Sequence, residues 1–569
     1  MKKFTFGTPE KRVPSLYCDG FRYEETEISF QQDDFTFTQT AKGCEVEFLI
    51  EPDTKIYGFG LQLYNFDHYG RKLTIRCNAD APRATGDSHA PVPFFVTNKG
   101  FGMYFDTARY AEFYCGVEKP GEGAKGEKYE TLLSEEELYA VKRAEEKTVF
   151  SVFIPYAQGI DIYVTEGKTI TDMVAEYNRL SGGGCDVPEW GLGVLYRCNG
   201  SYNDKQITDI AKYMRKEDIP CDIIGIEPGW HTHAYSCTYV WNPERFPEPQ
   251  KFADGLKAMD YHINLWEHAF VHPDSPIHDD LLPYSGDYCV WGGLVPDFSL
   301  PEAREIFAGY HRDKLISMGI DGFKADECDG SDFTGSWTFP NHTKFPSGLD
   351  GDQYHNLFGV LYCKTMCQAL DNKPTLSEVR SLGSLAAPYP FVLYSDLFDI
   401  KAFLTGVVNS GFSGLMWTPE VRWCSTKKEL MRRLQMVTFS VQCLINAWSC
   451  PEIPWLPFDC ENEVRAILGE RKKLVPKLKK AFEKYNQTGV PPVRALVMDY
   501  TDDRETWDVA DEYMLCDDLL VAPFFDFESD EREIYLPAGE WEDYFTGEKI
   551  SAGHITYHSE NIPVFRKIG

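Results

Sequence analysis

Residues 193–446 repeat one rhythm: a short apolar run, then a helix or a long loop. The runs cover 193–196, 221–227, 263–266, 320–326, 375–378, 390–394, 411–417 and 443–446. Between them, 204–216 carries Ile207, Ile210, Ala211 and Met214 at helical spacing, and 252–259, 303–318 and 354–370 read as further helices. Eight strand candidates alternating with helices or long loops predict an α/β fold, a parallel (β/α)8 TIM barrel.

The polar ends of the runs narrow the chemistry. They carry Glu227, Glu267-His268, Asp326-Glu327-Cys328-Asp329, Glu378 with Arg380, Asp396, and Trp417 with Glu420. A strand interior does not hold that many carboxylates without partners. The C-terminal mouth of a barrel does, and catalytic groups sit there. Taken singly, 319–330 also reads as a solvated acidic turn. Several strands converging on acids and aromatics at one rim is a stronger signal.

The flanks differ. Up to about residue 180, short alternating runs such as 44–50, 91–97 and 102–106 lie between Gly, Asp and Asn turns, which predicts a β-sandwich. Residues 464–485 form a basic amphipathic helix whose Arg471, Lys472, Lys473, Lys477, Lys479 and Lys480 read as a solvated face. From Val493 the chain is β again, with 517–523 and 533–537 as strands. The expected division is an N-terminal β-sandwich at 1–185, a catalytic barrel at 186–485 and a small C-terminal β-domain at 486–569.

Composition excludes some partners. A net charge of −31 argues against nucleic acid, whose phosphates it repels. No signal-length or membrane-length apolar run occurs, so no membrane partner is expected. The 17 cysteines are scattered without zinc-site spacing, which fits reduced thiols in a cytoplasm. Aromatic residues reach 14%, which suits stacking against sugars, although large cores use them too.

Asp326 and Asp396 form the candidate pair, since both project into one barrel mouth. Two carboxylates flanking a scissile bond are what glycoside hydrolysis needs. One attacks the anomeric carbon; the other protonates the leaving oxygen and then activates water.

Motifs along nearly the whole chain resemble glycoside hydrolase family 31, the α-glucosidase and α-xylosidase family. They are Ile56-Tyr57-Gly58-Phe59-Gly60, Pro188-Glu189-Trp190-Gly191-Leu192-Gly193, Val295-Pro296-Asp297-Phe298, Asp321-Gly322-Phe323-Lys324-Ala325-Asp326, Arg380-Ser381 ahead of Tyr394-Ser395-Asp396, and Asp511-Glu512-Tyr513-Met514 with 517–523. The resemblance implies the same three-part architecture, with the family's distal C-terminal domain absent. It implies Asp326 as nucleophile, Asp396 as general acid/base, Arg380 as the arginine holding the sugar, and Trp291 as an aromatic wall. Lys324 matches the xylosidase-like branch. Its charge would lower the pKa of Asp326, or it pairs with a neighbouring acid. Glu227, followed by Pro228-Gly229-Trp230, stands where the family presents an Asp to the sugar. With Trp266 and Trp417 at the ends of their strands, the expected substrate-binding set is Glu227, Trp230, Trp266, Trp291, Lys324, Arg380 and Trp417.

Departures from the family pattern fall on sugar recognition. The usual Asp-Met-Asn-Glu is Asp326-Glu327-Cys328-Asp329. The usual Asp-Ile-Gly-Gly is replaced by Thr418-Pro419-Glu420-Val421-Arg422, and the histidine near the last strand by 446–448. Residues 331–350, with Trp337, Phe339, His342 and Phe345, form a wall or lid over the cleft or pack the barrel. The expectation is a cytoplasmic, retaining, exo-acting α-glycoside hydrolase for a small α-linked glycoside, needing no metal or cofactor. α-Galactosidase, α-xylosidase, N-acetylhexosaminidase, sulfosugar hydrolase, transglycosylase and lyase activities stay open, as does a catalytically inactive glycan-binding protein. A homo-oligomer is also left open, because no stretch marks an interface.

Overall fold

The computed structural model describes residues 1–79, 81, 83–117, 147–334, 337–371 and 373–568. Eight parallel strands form its centre: Val194–Arg197, Ile223–Ile226, His262–His268, Gly322–Asp326, Ser377–Val379, Phe391–Leu393, Glu420–Val421 and Cys443–Asn446. The first pairs with the eighth, Val194 opposite Cys443. Sixth and seventh meet only through Leu393 and Trp417. There the Leu393 N–H donates to the Met416 carbonyl at 2.8 Å and the Thr418 N–H to the Leu393 carbonyl at 3.1 Å, closing the cylinder. Several of the intervening helices start on side-chain caps. Asn203 caps Asp204–Lys216 and Asp350 caps Gly351–Leu370, each accepting from the N–H three residues on.

The seventh run departs from expectation. Residues 411–417 are not a strand: Gly411–Ser413 is a 3-10 turn, Gly414 follows at φ 66°, and the strand comes later at Glu420–Val421. The run is apolar for another reason. Phe412 stacks on Tyr57 from the N-terminal region, with ring centroids 5.1 Å apart and planes 6° apart.

That region is two five-stranded antiparallel sheets. One holds Lys2–Thr8, Gln158–Glu166, Phe101–Phe105, Pro91–Thr97 and Ile56–Gly60; the other holds Thr36–Thr40, Gly43–Ile50, Thr148–Pro155, Ala111–Val117 and Lys72–Ile75. The part of the expected sandwich at 118–146 lies outside the described residues. Side chains of the first sheet alternate between two cores, as a pleated strand requires. Phe59, Phe95 and Phe105 face the second sheet, whereas Tyr57, Phe94 and Tyr104 join the barrel core. Phe94 stacks on Tyr177 at 4.1 Å, and the Gly60 N–H donates to Ser413 Oγ at 3.0 Å. The sandwich therefore shares a continuous core with the barrel.

The basic helix runs Glu461–Thr488 and ends on Gly489 at φ 80°. Its face is not all solvated. Arg471 is fully buried and donates to the carbonyls of Leu192, Thr438, Ser440 and Val441. These carbonyls precede the first and eighth strands, so Arg471 ties the barrel's N-terminal rim where those strands meet. A guanidinium with several donors can satisfy carbonyls that an apolar side chain would leave orphaned. A six-stranded C-terminal sheet follows, built from Val493–Ala495, Tyr513–Leu515, Leu519–Val521, Val564–Lys567, Glu531–Asp543 and Lys549–His558 in that spatial order. Among the described residues no helix is long and apolar enough to cross a membrane.

Candidate active site

The floor of the mouth is a buried ionic plug. Arg197, at the end of the first strand, reaches Glu227 at 3.0 Å, Glu378 at 2.6 and 3.0 Å, and the Asn264 side-chain oxygen at 2.6 Å. Asn264 in turn donates to Glu378 at 2.9 Å. Such a cluster is tolerable in a low dielectric only because every charge has a partner. It fixes Glu227 at the lip of the second strand.

Above it lies Lys324, two residues before the end of the fourth strand. Its Nζ is 3.4 Å from Glu227 and 3.8 Å from Asp326. Both readings of this lysine therefore hold: it pairs with a neighbouring acid and sets a positive charge beside Asp326. Asp326 accepts the Trp266 indole N–H on Oδ2 at 2.6 Å and the Glu327 backbone N–H on Oδ1 at 2.9 Å. Burial works to raise its pKa. The charges of Lys324 and Arg380, with the polar groups of Tyr394 and Trp266, outweigh that and hold it below the ordinary carboxylate value. Asp326 is thus a buried carboxylate kept ionised and aimed, which suits a nucleophile. Because Lys324 lowers this pKa, Lys324→Met raises it. The acid limb of kcat/KM then moves to higher pH, which a pH–rate profile of the two proteins measures.

Asp396 follows the sixth strand and differs in access. Its side chain is 64% exposed, against 11% for Asp326. Arg380 bridges it to the barrel, with Nη1 3.1 Å from Asp396 and Nε donating to Asp329 at 2.8 Å. Arg422 donates to the carbonyls of Ser395 and Asp396 at 2.9 and 3.0 Å, which fixes the backbone that carries the acid. Arg422 is paired with Glu420, whose other oxygen accepts from Asn446 at 2.7 Å. The departures at 418–422 and 446 therefore form one connected group behind Asp396. From the N-terminal sheets, His89 comes within 3.6 Å of Asp329, and its carbonyl accepts the Leu382 N–H.

One side of the mouth is aromatic. Trp291, at φ 50° in the turn between Ser285–Val290 and Gly293–Pro296, stacks on Trp337 at 5.6 Å and meets Tyr235 edge-on at 5.0 Å. Tyr235 is 45% exposed and lies 5.5 Å from Trp266, so the wall leads from Asp326 toward solvent. The 331–350 segment contributes both ways: Trp337 joins this wall, whereas Phe339 and Phe345 are buried against Tyr354. Trp230 and Trp417 sit behind the lining. Both are fully buried, and their indole N–H groups donate to the carbonyls of Trp266 and Phe403. Of the expected residues, Glu227, Trp266, Lys324, Asp326, Arg380 and Asp396 come together, Trp291 stands beside them, and Trp230 and Trp417 support from behind.

Sequence reasoning missed Arg197 and Tyr235. A single arginine closing the apolar run 194–197 is a signal for the first. Nothing in 230–237 marks out Tyr235 from its aromatic and histidine neighbours.

A (β/α)8 barrel whose mouth holds one buried and one exposed carboxylate beside an aromatic wall has the furniture of a glycosidase. Known proteins agree. Residues 185–481 match the TIM-barrel domain of glycosyl hydrolases family 31, and 489–569 match that family's C-terminal domain. The chain belongs to glycosyl hydrolase family 31. It is 22% identical over 88% of its length to the α-xylosidase XylQ of Lactiplantibacillus pentosus, and covers 65% of that protein. It is 26% identical over 94% of its length to α-glucosidase 2 of Bacillus thermoamyloliquefaciens, covering 69% of it. It thus spans about two thirds of the length of these curated relatives. In fold it is similar to a Flavobacterium johnsoniae family 31 dextranase solved with glucose, with a TM-score of 0.80 at 20% identity over 95% of this chain and 68% of the other.

Proposed function

We propose that this protein is a retaining, exo-acting α-glycoside hydrolase that cleaves a small α-linked glycoside through a covalent glycosyl-enzyme intermediate. The observation that carries this is the contrast between the two carboxylates. Asp326 is buried, ionised and fixed at both oxygens, and Asp396 is exposed on an arginine at the same mouth. Asp326 attacks the anomeric carbon while Asp396 protonates the departing oxygen. Water, deprotonated by Asp396, then releases the sugar and frees Asp326.

The sugar lies against Trp291 and Tyr235, with Glu227, Lys324 and Arg380 as polar partners. Trp266 aims the nucleophile, and Trp230 and Trp417 stiffen the lining. The setting that fits is a reducing cytoplasm, where the 17 cysteines stay as free thiols. Because Glu227 replaces the family's aspartate and Glu420, Arg422 and Asn446 replace its usual partners, we read the sugar as one other than glucose. Xylose, galactose, an N-acetylhexosamine and a sulfosugar are the choices.

A panel of aryl α-glycosides differing only in the sugar tests this. One sugar is turned over, the α-anomer appears first by NMR, and Asp326→Ala is silent. Silence of the folded wild-type protein across the panel overturns the reading.

A further inference from the structure

Among the described residues of the barrel mouth, six carboxyl groups have a protein partner and a further one does not. Glu227 and Glu378 hold Arg197, Asp326 accepts from Trp266, Asp329 and Asp396 share Arg380, and Glu420 pairs with Arg422 and Asn446. The seventh is Glu327, directly after the nucleophile. Among the described residues its carboxyl makes no hydrogen bond or ion pair with protein, and its side chain is only half-buried.

Its backbone explains the placement. Glu327 is in the left-handed region at φ 54°, which an L-residue other than glycine seldom adopts. That turn points its N–H back at Asp326 Oδ1 at 2.9 Å. Its carboxyl lies within electrostatic reach of Asp326 and Asp329 from its own segment, Arg380 after the fifth strand, Asp396 after the sixth, and Tyr235 and Cys237 from the loop after the second. Burial, then the negative charges of Asp326 and Asp329, raise its pKa well above the ordinary carboxylate range despite Arg380. Near neutral pH the group keeps its proton and can donate as well as accept.

We propose that Glu327 is a specificity-determining residue whose carboxyl hydrogen-bonds one hydroxyl of the sugar held against Asp326. This rests on the α-glycosidase reading above. A neutral acid suits the place: it offers a donor to the sugar without adding a charge beside the nucleophile. A polar group built to bond a substrate hydroxyl discriminates against the analogue lacking it, because it is then left unpaired.

The test compares wild type, Glu327→Ala and Glu327→Gln on aryl glycosides of the preferred sugar, each lacking one hydroxyl. Wild type loses more than about 10-fold in kcat/KM at one hydroxyl position. Glu327→Ala loses roughly 10- to 100-fold on the complete sugar and shows no further loss at that position. Glu327→Gln, which keeps a donor of the same shape, retains the discrimination. Equal losses at every position in Glu327→Ala, or a Glu327→Gln that discriminates no better than Glu327→Ala, overturn the inference and leave the glycosidase standing. No turnover of any glycoside by wild type removes both.

Discussion

Asp326→Ala yields a folded protein that turns over no glycoside. The loss expected is roughly 10⁴-fold or more, the scale seen when a group on which covalent chemistry depends is removed. Folding survives because the substitution strands no charge. Lys324 keeps Glu227 at 3.4 Å, and Arg380 keeps Asp329 and Asp396. The Trp266 indole and the Glu327 backbone N–H each lose an acceptor, a smaller cost than a stranded charge. Circular dichroism and thermal unfolding check the fold, and aryl glycoside turnover checks the activity. Activity like that of the wild type in this variant sinks the assignment of Asp326.

Asp396→Ala divides substrates by their leaving groups. A sugar or alkyl alcohol needs a proton to depart, so its release falls by about 10² to 10⁴-fold. A dinitrophenolate or fluoride leaves without one, so formation of the glycosyl-enzyme is spared. The contrast is read in the burst phase, because the loss of a base slows the second step for every substrate alike. The site geometry favours this role: a side chain 64% exposed can meet both the leaving group and the incoming water. Equal burst-phase losses on activated and unactivated substrates count against it.

The barrel and its acids were legible in the sequence because both follow local rules. Short apolar runs, several with carboxylates at or just past their ends, alternate with helices and leave a periodic trace that needs no tertiary knowledge. What was not legible depended on partners distant in the chain. The apolar run at 411–417 resembles a strand, yet Phe412 is apolar because Tyr57 stacks on it. Arg471 sits among five lysines of a solvated helix face, and only the four carbonyls it meets distinguish it from them. Within the site, the acids were placed at the mouth by position in the run, whereas the indoles could not be sorted. Trp266 donates to Asp326 and Trp417 to a helix carbonyl, a difference of orientation that a residue name does not carry.

The contact of His89 with Asp329 bears on how such an enzyme changes over time. Asp329 anchors the arginine that holds Asp396, so a residue of the N-terminal region sits three contacts from Asp396. Sandwich and barrel are then one heritable unit. Exchange of either part between relatives brings together surfaces that were not selected against each other, and this chain of contacts carries the mismatch to Asp396.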